Sequence, residues 1–151
     1  MKKTLIYGII FATLGATFGF NIFKNSKDKV LDVFKDSANY YVLQEGVYSN
    51  EEIMQENIKN LDSKIIEEEN EKYYVYVGIT TKKENAIKLK KIYESKGYQL
   101  YLKELKIASA EFYNNTVQFD MLINKTNKEE EILTIEEVVL ANYDEIVKNS
   151  K

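Results

Sequence analysis

An internal repeat constrains this chain more than any other feature. Residues 40–52 (Tyr40, Tyr41, Val42, Leu43, Gln44, Glu45, Gly46 and onward) align with residues 72–84 at an offset of 32. Gly46 then meets Gly78, Val47 meets Ile79, Ser49 meets Thr81 and Glu52 meets Glu84. Each copy opens with an aromatic and β-branched run, the composition of a strand. Glycine follows, where a backbone without Cβ can bend and end the strand. Next comes a Ser/Thr-x-x-Glu box, in which the hydroxyl caps a free helix N–H and the Glu reaches back to the cap residue.

Helical spacing follows the box in both copies: Met54, Ile58, Leu61 and Ile65 in the first, Ala86, Leu89 and Tyr93 with Ile92 in the second. Gly97 is placed to stop the second helix. Strand-like segments at 64–67 and 98–103 close the two halves, and the acidic run 67–71 reads as a solvated loop between them. The order β-α-β-β-α-β predicts an α+β fold of the split βαβ (ferredoxin-like) kind over residues 39–104. It has a four-stranded antiparallel sheet with both helices on one face.

The rest of the chain flanks this unit. Residues 4–23 carry no charge, with Lys2 and Lys3 before them and Lys24 after. Twenty helical residues span roughly 30 Å, the hydrocarbon thickness of a bilayer. The apolar residues go all the way round such a helix, which predicts an uncleaved transmembrane signal-anchor over residues 1–23, with membrane lipid as its partner. A cleaved signal peptide is the competing reading, although apolar character persists to Phe23, where a cleavage region would be polar and small. A short N-terminal tail places the remainder on the extracytoplasmic side of the cell membrane, as a single-pass protein. Residues 24–38 read as an amphipathic juxtamembrane stalk. Residues 105–151 read as a C-terminal pair of antiparallel helices, with apolar stripes at Ala108, Phe112, Phe119 and Leu122 and at Ile132, Ile135, Val139, Tyr143 and Ile146. Thr126 to Glu130 offers capping boxes for the second.

Composition narrows the function. The chain has 151 residues and no Cys or His, so it lacks a zinc-finger ligand set, a thiolate nucleophile and a histidine triad. No metal site, cofactor or catalytic residue is expected. All 21 basic residues are Lys. Residues 1–36 hold six Lys and three Asp, net +3, so with −3 overall the remaining residues are net −6. An acidic domain without Arg is a poor polyanion binder, which argues against nucleic acid and against an RNA-recognition module of the same strand order.

With two helices on one sheet face, the other face needs a use. Period-two counting puts Val75, Val77, Leu43, Leu100 and Leu102 toward the helices. Tyr74, Tyr76, Tyr101, Val42, Gln44, Gln99 and Lys103 then point to the open side. Two readings stay in play: the rings pack under the C-terminal helices, or they form a stacking platform for a flat polar ligand.

An apolar anchor, a spacer and a duplicated βαββαβ unit resemble the SPOR (sporulation-related repeat) domain proteins. Leu43-Gln44-Glu45-Gly46-Val47-Tyr48-Ser49-Asn50-Glu51-Glu52 is similar to that family's opening strand and helix start. Val75-Tyr76-Val77-Gly78, Glu84-Asn85-Ala86 and Gly97-Tyr98 look like its later signatures. The resemblance covers residues 40–104 and implies a non-catalytic domain that binds peptidoglycan glycan strands on the sheet face, at septal (cell division) or sporulation-related cell-wall sites. The implied glycan contacts are Gln44, Ser49, Tyr74, Tyr76 and Tyr101, with Ser49 equally explained as a helix cap. Tyr76, Ile79 and Glu45 depart from the family's usual Arg, Pro and apolar residue. The alternative is a membrane-anchored scaffold without glycan binding, docking a membrane or divisome protein through residues 105–151.

Overall fold

The structure is a computed structural model that describes residues 37–148. The expected anchor, residues 4–23, and most of the stalk lie outside the described residues; among these no helix is long and apolar enough to cross a membrane. The described chain is α+β. Strands β1 (Ala38–Tyr48), β2 (Ile65–Glu69), β3 (Lys72–Thr80) and β4 (Tyr101–Ile107) alternate with helices α1 (Glu51–Ile58) and α2 (Lys83–Ser95). Two further helices follow, α3 (Ala110–Lys125) and α4 (Glu129–Tyr143), and a π-helical turn, Asp144–Lys148, continues α4. The sheet order is β2-β3-β1-β4 with every neighbouring pair antiparallel, consistent with the split βαβ arrangement.

The helix-side layer is built as periodicity dictates. Met54 and Ile58 of α1 and Leu89, Ile92 and Tyr93 of α2 share one core with Leu43, Val75, Val77 and Leu100. A double irregularity in the β1–β3 ladder sets what each face carries. Leu43 pairs Gly78 and Gln44 pairs Tyr76, so Val77 is an extra residue on β3; Glu45 is then the extra one on β1. Such bulges add a residue to one strand and re-aim its neighbours. Val77 and Gly78 therefore both lie on the helix side, and Ile79 joins Val42 on the opposite face. The two glycines lie inside strands rather than ending them. A Cβ on Gly78 would come within 3.2 Å of Leu43 Cδ1, so the absent side chain makes room for a core leucine.

Local signals fall near their expected places but shifted. The acidic run is not a free loop: Glu67, Glu68 and Glu69 belong to β2, and only Asn70 and Glu71 turn the chain, with φ of 51° and 58°. Two consecutive left-handed residues make the tight hairpin turn whose twist suits antiparallel strands. At α1 the cap is Asn50, whose side chain accepts from the Ile53 N–H at 3.0 Å, and Ser49 is left exposed. At α2 the cap position is Lys82, and Thr81 is bonded elsewhere. Thr126 does not cap α4 either, since that cap position is Lys128. β4 begins at Tyr101 and runs past the expected boundary at 104, because Leu105 and Ile107 continue the alternation and pack on the far face.

Gly97 ends α2 as expected. Its φ is +92°; its N–H bonds the Glu94 carbonyl, and the Tyr98 N–H bonds the Tyr93 carbonyl at 3.1 Å. Tyr98 packs edge-on to Tyr93, completing a Schellman closure. Gly97→Ala forces a Cβ into left-handed backbone, and the urea midpoint is expected to fall by the equivalent of about 1 kcal/mol.

The helical pair α3–α4 straddles the sheet. Ile123 of α3 and Ile132 and Ile135 of α4 join the helix-side core. Phe112 of α3 and Val139, Leu140 and Tyr143 of α4 join a second core on the opposite face, with Tyr40, Val42, Ile65, Tyr76, Ile79 and Ile107. Tyr40 stacks on Phe112 with ring centroids 5.3 Å apart, and Phe112 meets Tyr143 edge-on at 5.4 Å. Both C-terminal helices are therefore part of the domain.

Candidate functional site

The far face of the sheet is where the five expected glycan contacts can be judged. Gln44 lies between Tyr101 on β4 and Tyr76 on β3, as the alternation implied, and the bulge at Glu45 brings Val47 to the same face, paired with Tyr74. Coverage divides that face in two. At the end holding Tyr40, Val42, Ile79 and Ile107, the C-terminal helices exclude water. At the other end Tyr101 is 60 % exposed and Val47 41 %, with Lys103 also exposed and Tyr74 half-buried.

Two of the expected contacts are sealed. Tyr76 keeps 6 % of its surface and Gln44 4 %. Tyr76 packs in the second core beside Ile65 and Tyr143, because the apolar stripe of α4 needs an apolar surface and this face supplies it. Burial pushes its hydroxyl up to about 12, with the Glu67 carboxylate adding to the shift. The Tyr143 hydroxyl donates to Glu67, fixing the end of α4 to β2. Ser49 is exposed beyond the end of β1 and neither caps α1 nor stands beside the rings. Only Tyr74 and Tyr101 thus remain as accessible rings.

Lys103 links the open strip together. Its ammonium lies 6.0 Å from the Tyr74 ring centre, at the reach of a cation–π contact. Because β1 runs between β4 and β3, the lysine stem must cross β1, and the register places Gln44 beneath it. The Gln44 amide oxygen is buried without a hydrogen-bond partner among the described residues. A buried polar atom left unpaired costs free energy that an incoming donor would recover. The strip therefore combines one bare ring, a second ring under a movable cation, and an unsatisfied acceptor under the same lysine stem.

Two carboxylates that the acidic composition had hidden are buried where α3 and α4 pass the end of β3. Asp120 accepts from the Thr80 hydroxyl, from the Thr81 N–H at 2.8 Å and hydroxyl at 2.6 Å, and from Asn85 Nδ2 at 2.8 Å. Glu136 accepts from the Ile79 N–H at 2.6 Å. β2 pairs only with 72–76 of β3, so this N–H has no strand to bond on that side. Burial pushes the Glu136 carboxyl up to about 8, against the lowering effect of the Ile79 bond and with Asp120 adding to the rise. Both groups are buried, and their bonds tie α3 and α4 to the end of β3. No cluster of acidic residues among those described could hold a metal ion.

Comparison of the chain with protein-family models, with curated proteins and with solved structures finds no match.

Proposed function

We propose that this is a membrane-tethered, non-catalytic binding module of the cell envelope, single-pass and extracytoplasmic, which takes peptidoglycan glycan strands at the open end of the sheet. The observation that carries the reading is the limit of the helical cover. The other large apolar side chains on that face are buried or partly so, while Tyr101 and Val47 are left in water beside Tyr74. Exposed rings grouped with a few polar atoms are what a sugar ring recognises, with apolar faces for the stack and acceptors for hydroxyls. A glycan that lifts the Lys103 stem gains the Gln44 oxygen as an acceptor. The resemblance of residues 40–104 to SPOR domains, with their split βαβ fold and septal or sporulation-related wall sites, supports the same choice. The platform is smaller than that resemblance implies, with Tyr101 and Tyr74 as its rings.

The test is sedimentation of the full chain, in mild detergent, with purified cell-wall sacculi before and after an amidase has stripped the stem peptides. Retention is expected to rise after stripping, and Tyr101→Ala is expected to weaken it about tenfold, the factor that roughly 1.4 kcal/mol produces. Failure of the folded chain to sediment with either preparation overturns the reading, as does a Tyr101→Ala protein that binds like its parent. The sealing of Gln44 and Tyr76 favours a second reading, an anchored scaffold for a membrane or divisome protein. That reading predicts correct localisation with no glycan retention.

A further inference from the structure

Several stretches of strand edge in the described sheet lack a strand partner, and the chain treats three of them differently. β2 is short and carries Glu67, Glu68 and Glu69 in succession, so a second copy would meet like charge. The bare end of β3 is closed by Glu136, which takes the Ile79 N–H. β4, by contrast, pairs only with β1 and offers Lys103, Glu104, Leu105 and Lys106 along its free side. Charged side chains (Lys above all), short length and a covering side chain are ways to blunt an edge. Lys103 and Lys106 blunt β4 against most partners, while its mixed signs leave it complementary to its own image.

We infer that β4 is a homodimer interface, joined edge to edge with β4 of a second copy about a two-fold axis perpendicular to the sheet. In such a pair the strands are antiparallel and opposed residues share a face, so a residue meets its own image on the axis. Three registers bring five or more residues of Tyr101–Ile107 into overlap. An axis at Lys103 opposes two ammonium groups, and an axis at Glu104 opposes two carboxylates. An axis at Leu105 puts leucine against leucine and sets Glu104 against the other copy's Lys106 twice. Opposite charges directly across a strand pair attract, and like charges there repel, so this register alone is selected. The strand overlap covers residues 103–107 only, well below the area of a stable dimer in solution. Confinement to a membrane would supply the missing effective concentration, which makes this inference rest on the tether in the proposed function, though not on glycan binding.

The absence of cysteine from the chain allows a clean test. Full-length protein in membranes, carrying Leu105→Cys, is oxidised and run on a non-reducing gel. Two Cα atoms facing across an antiparallel pair lie about 4.5–5.5 Å apart, within disulfide range. A disulfide-linked dimer is expected, lost with Glu104→Lys and regained when Lys106→Glu is added. Because Leu105 is partly buried, a second pair guards against misfolding. Glu104→Cys and Lys106→Cys, both at exposed positions, should cross-link when co-expressed and not when either is alone. A Glu104→Cys protein that links to itself, or no link in either scheme, overturns the inference. Glycan sedimentation of the same membranes reads the other proposal separately.

Discussion

Asp120→Ala is expected to lower the stability of the folded protein by about 3–5 kcal/mol. The carboxylate is 2 % exposed and organises the end of β3 and the start of α2 from a helix that lies far along the sequence. Its removal takes the acceptor from the Thr81 N–H and from the Thr80 and Thr81 hydroxyls, while Asn85 Nδ2 keeps the carbonyl of residue 120 at 3.1 Å, and each donor stranded away from water costs roughly 1–3 kcal/mol. It also takes a negative charge from beside the N-terminal end of α2, where the helix dipole favours one. Asp120→Asn keeps the shape and one acceptor, and should cost less than the alanine change. Urea denaturation checks both, with the midpoint falling at an unchanged slope. An alanine variant within about 1 kcal/mol of the parent would show that the buried donors find other partners. The same geometry makes residues 105–151 a poor target for deletion. Cutting them away removes Asp120 and Glu136 together and exposes Tyr40, Val42 and Ile79, so a lost function would report unfolding.

How much of this was legible in the sequence varies with the kind of interaction. Strand alternation placed Tyr74, Tyr76, Tyr101 and Gln44 on one face correctly, because period two is fixed by backbone geometry. Which of those four would be covered was not legible. The stripe on α4 shows that an apolar surface is needed without naming which surface, and the helical pair divides its contacts between both faces. The bulge at Val77 has no signature in residue type, so the move of Ile79 to the far face could not be read. Asp120 and Glu136 did leave a trace. Phe112, Thr116, Asp120 and Ile123 are spaced i, i+4, i+8, i+11, and Ile132, Glu136, Val139 and Tyr143 are spaced i, i+4, i+7, i+11. A carboxylate inside an apolar stripe is buried if the stripe is, and that spacing is the trace they left. The cap boxes failed differently: Thr81 lies at a helix start as the pattern says, but a buried carboxylate from α3 offers its hydroxyl a stronger acceptor than the helix does.

Glu136 should make the protein less stable as pH rises. Its carboxyl, ordinary at 4.5 in an unfolded chain, is pushed up to about 8 by burial in the native state. Between those values the native state holds a proton that the unfolded state has released. Linkage then requires the folding constant to fall roughly tenfold per pH unit over that window. Below 4.5 both states are protonated and the penalty vanishes; above 8 both are ionised and it levels off. Glu136→Gln removes the titration while its amide oxygen can still accept from the Ile79 N–H. The variant should therefore match or fall slightly below the parent at pH 5, where its extra amide hydrogens want a partner, and exceed it clearly at pH 9. Thermal melts of both proteins from pH 5 to pH 9 decide the matter. Crossing curves are the expected result, and parallel curves would mean that the Glu136 carboxylate reaches water in the native state.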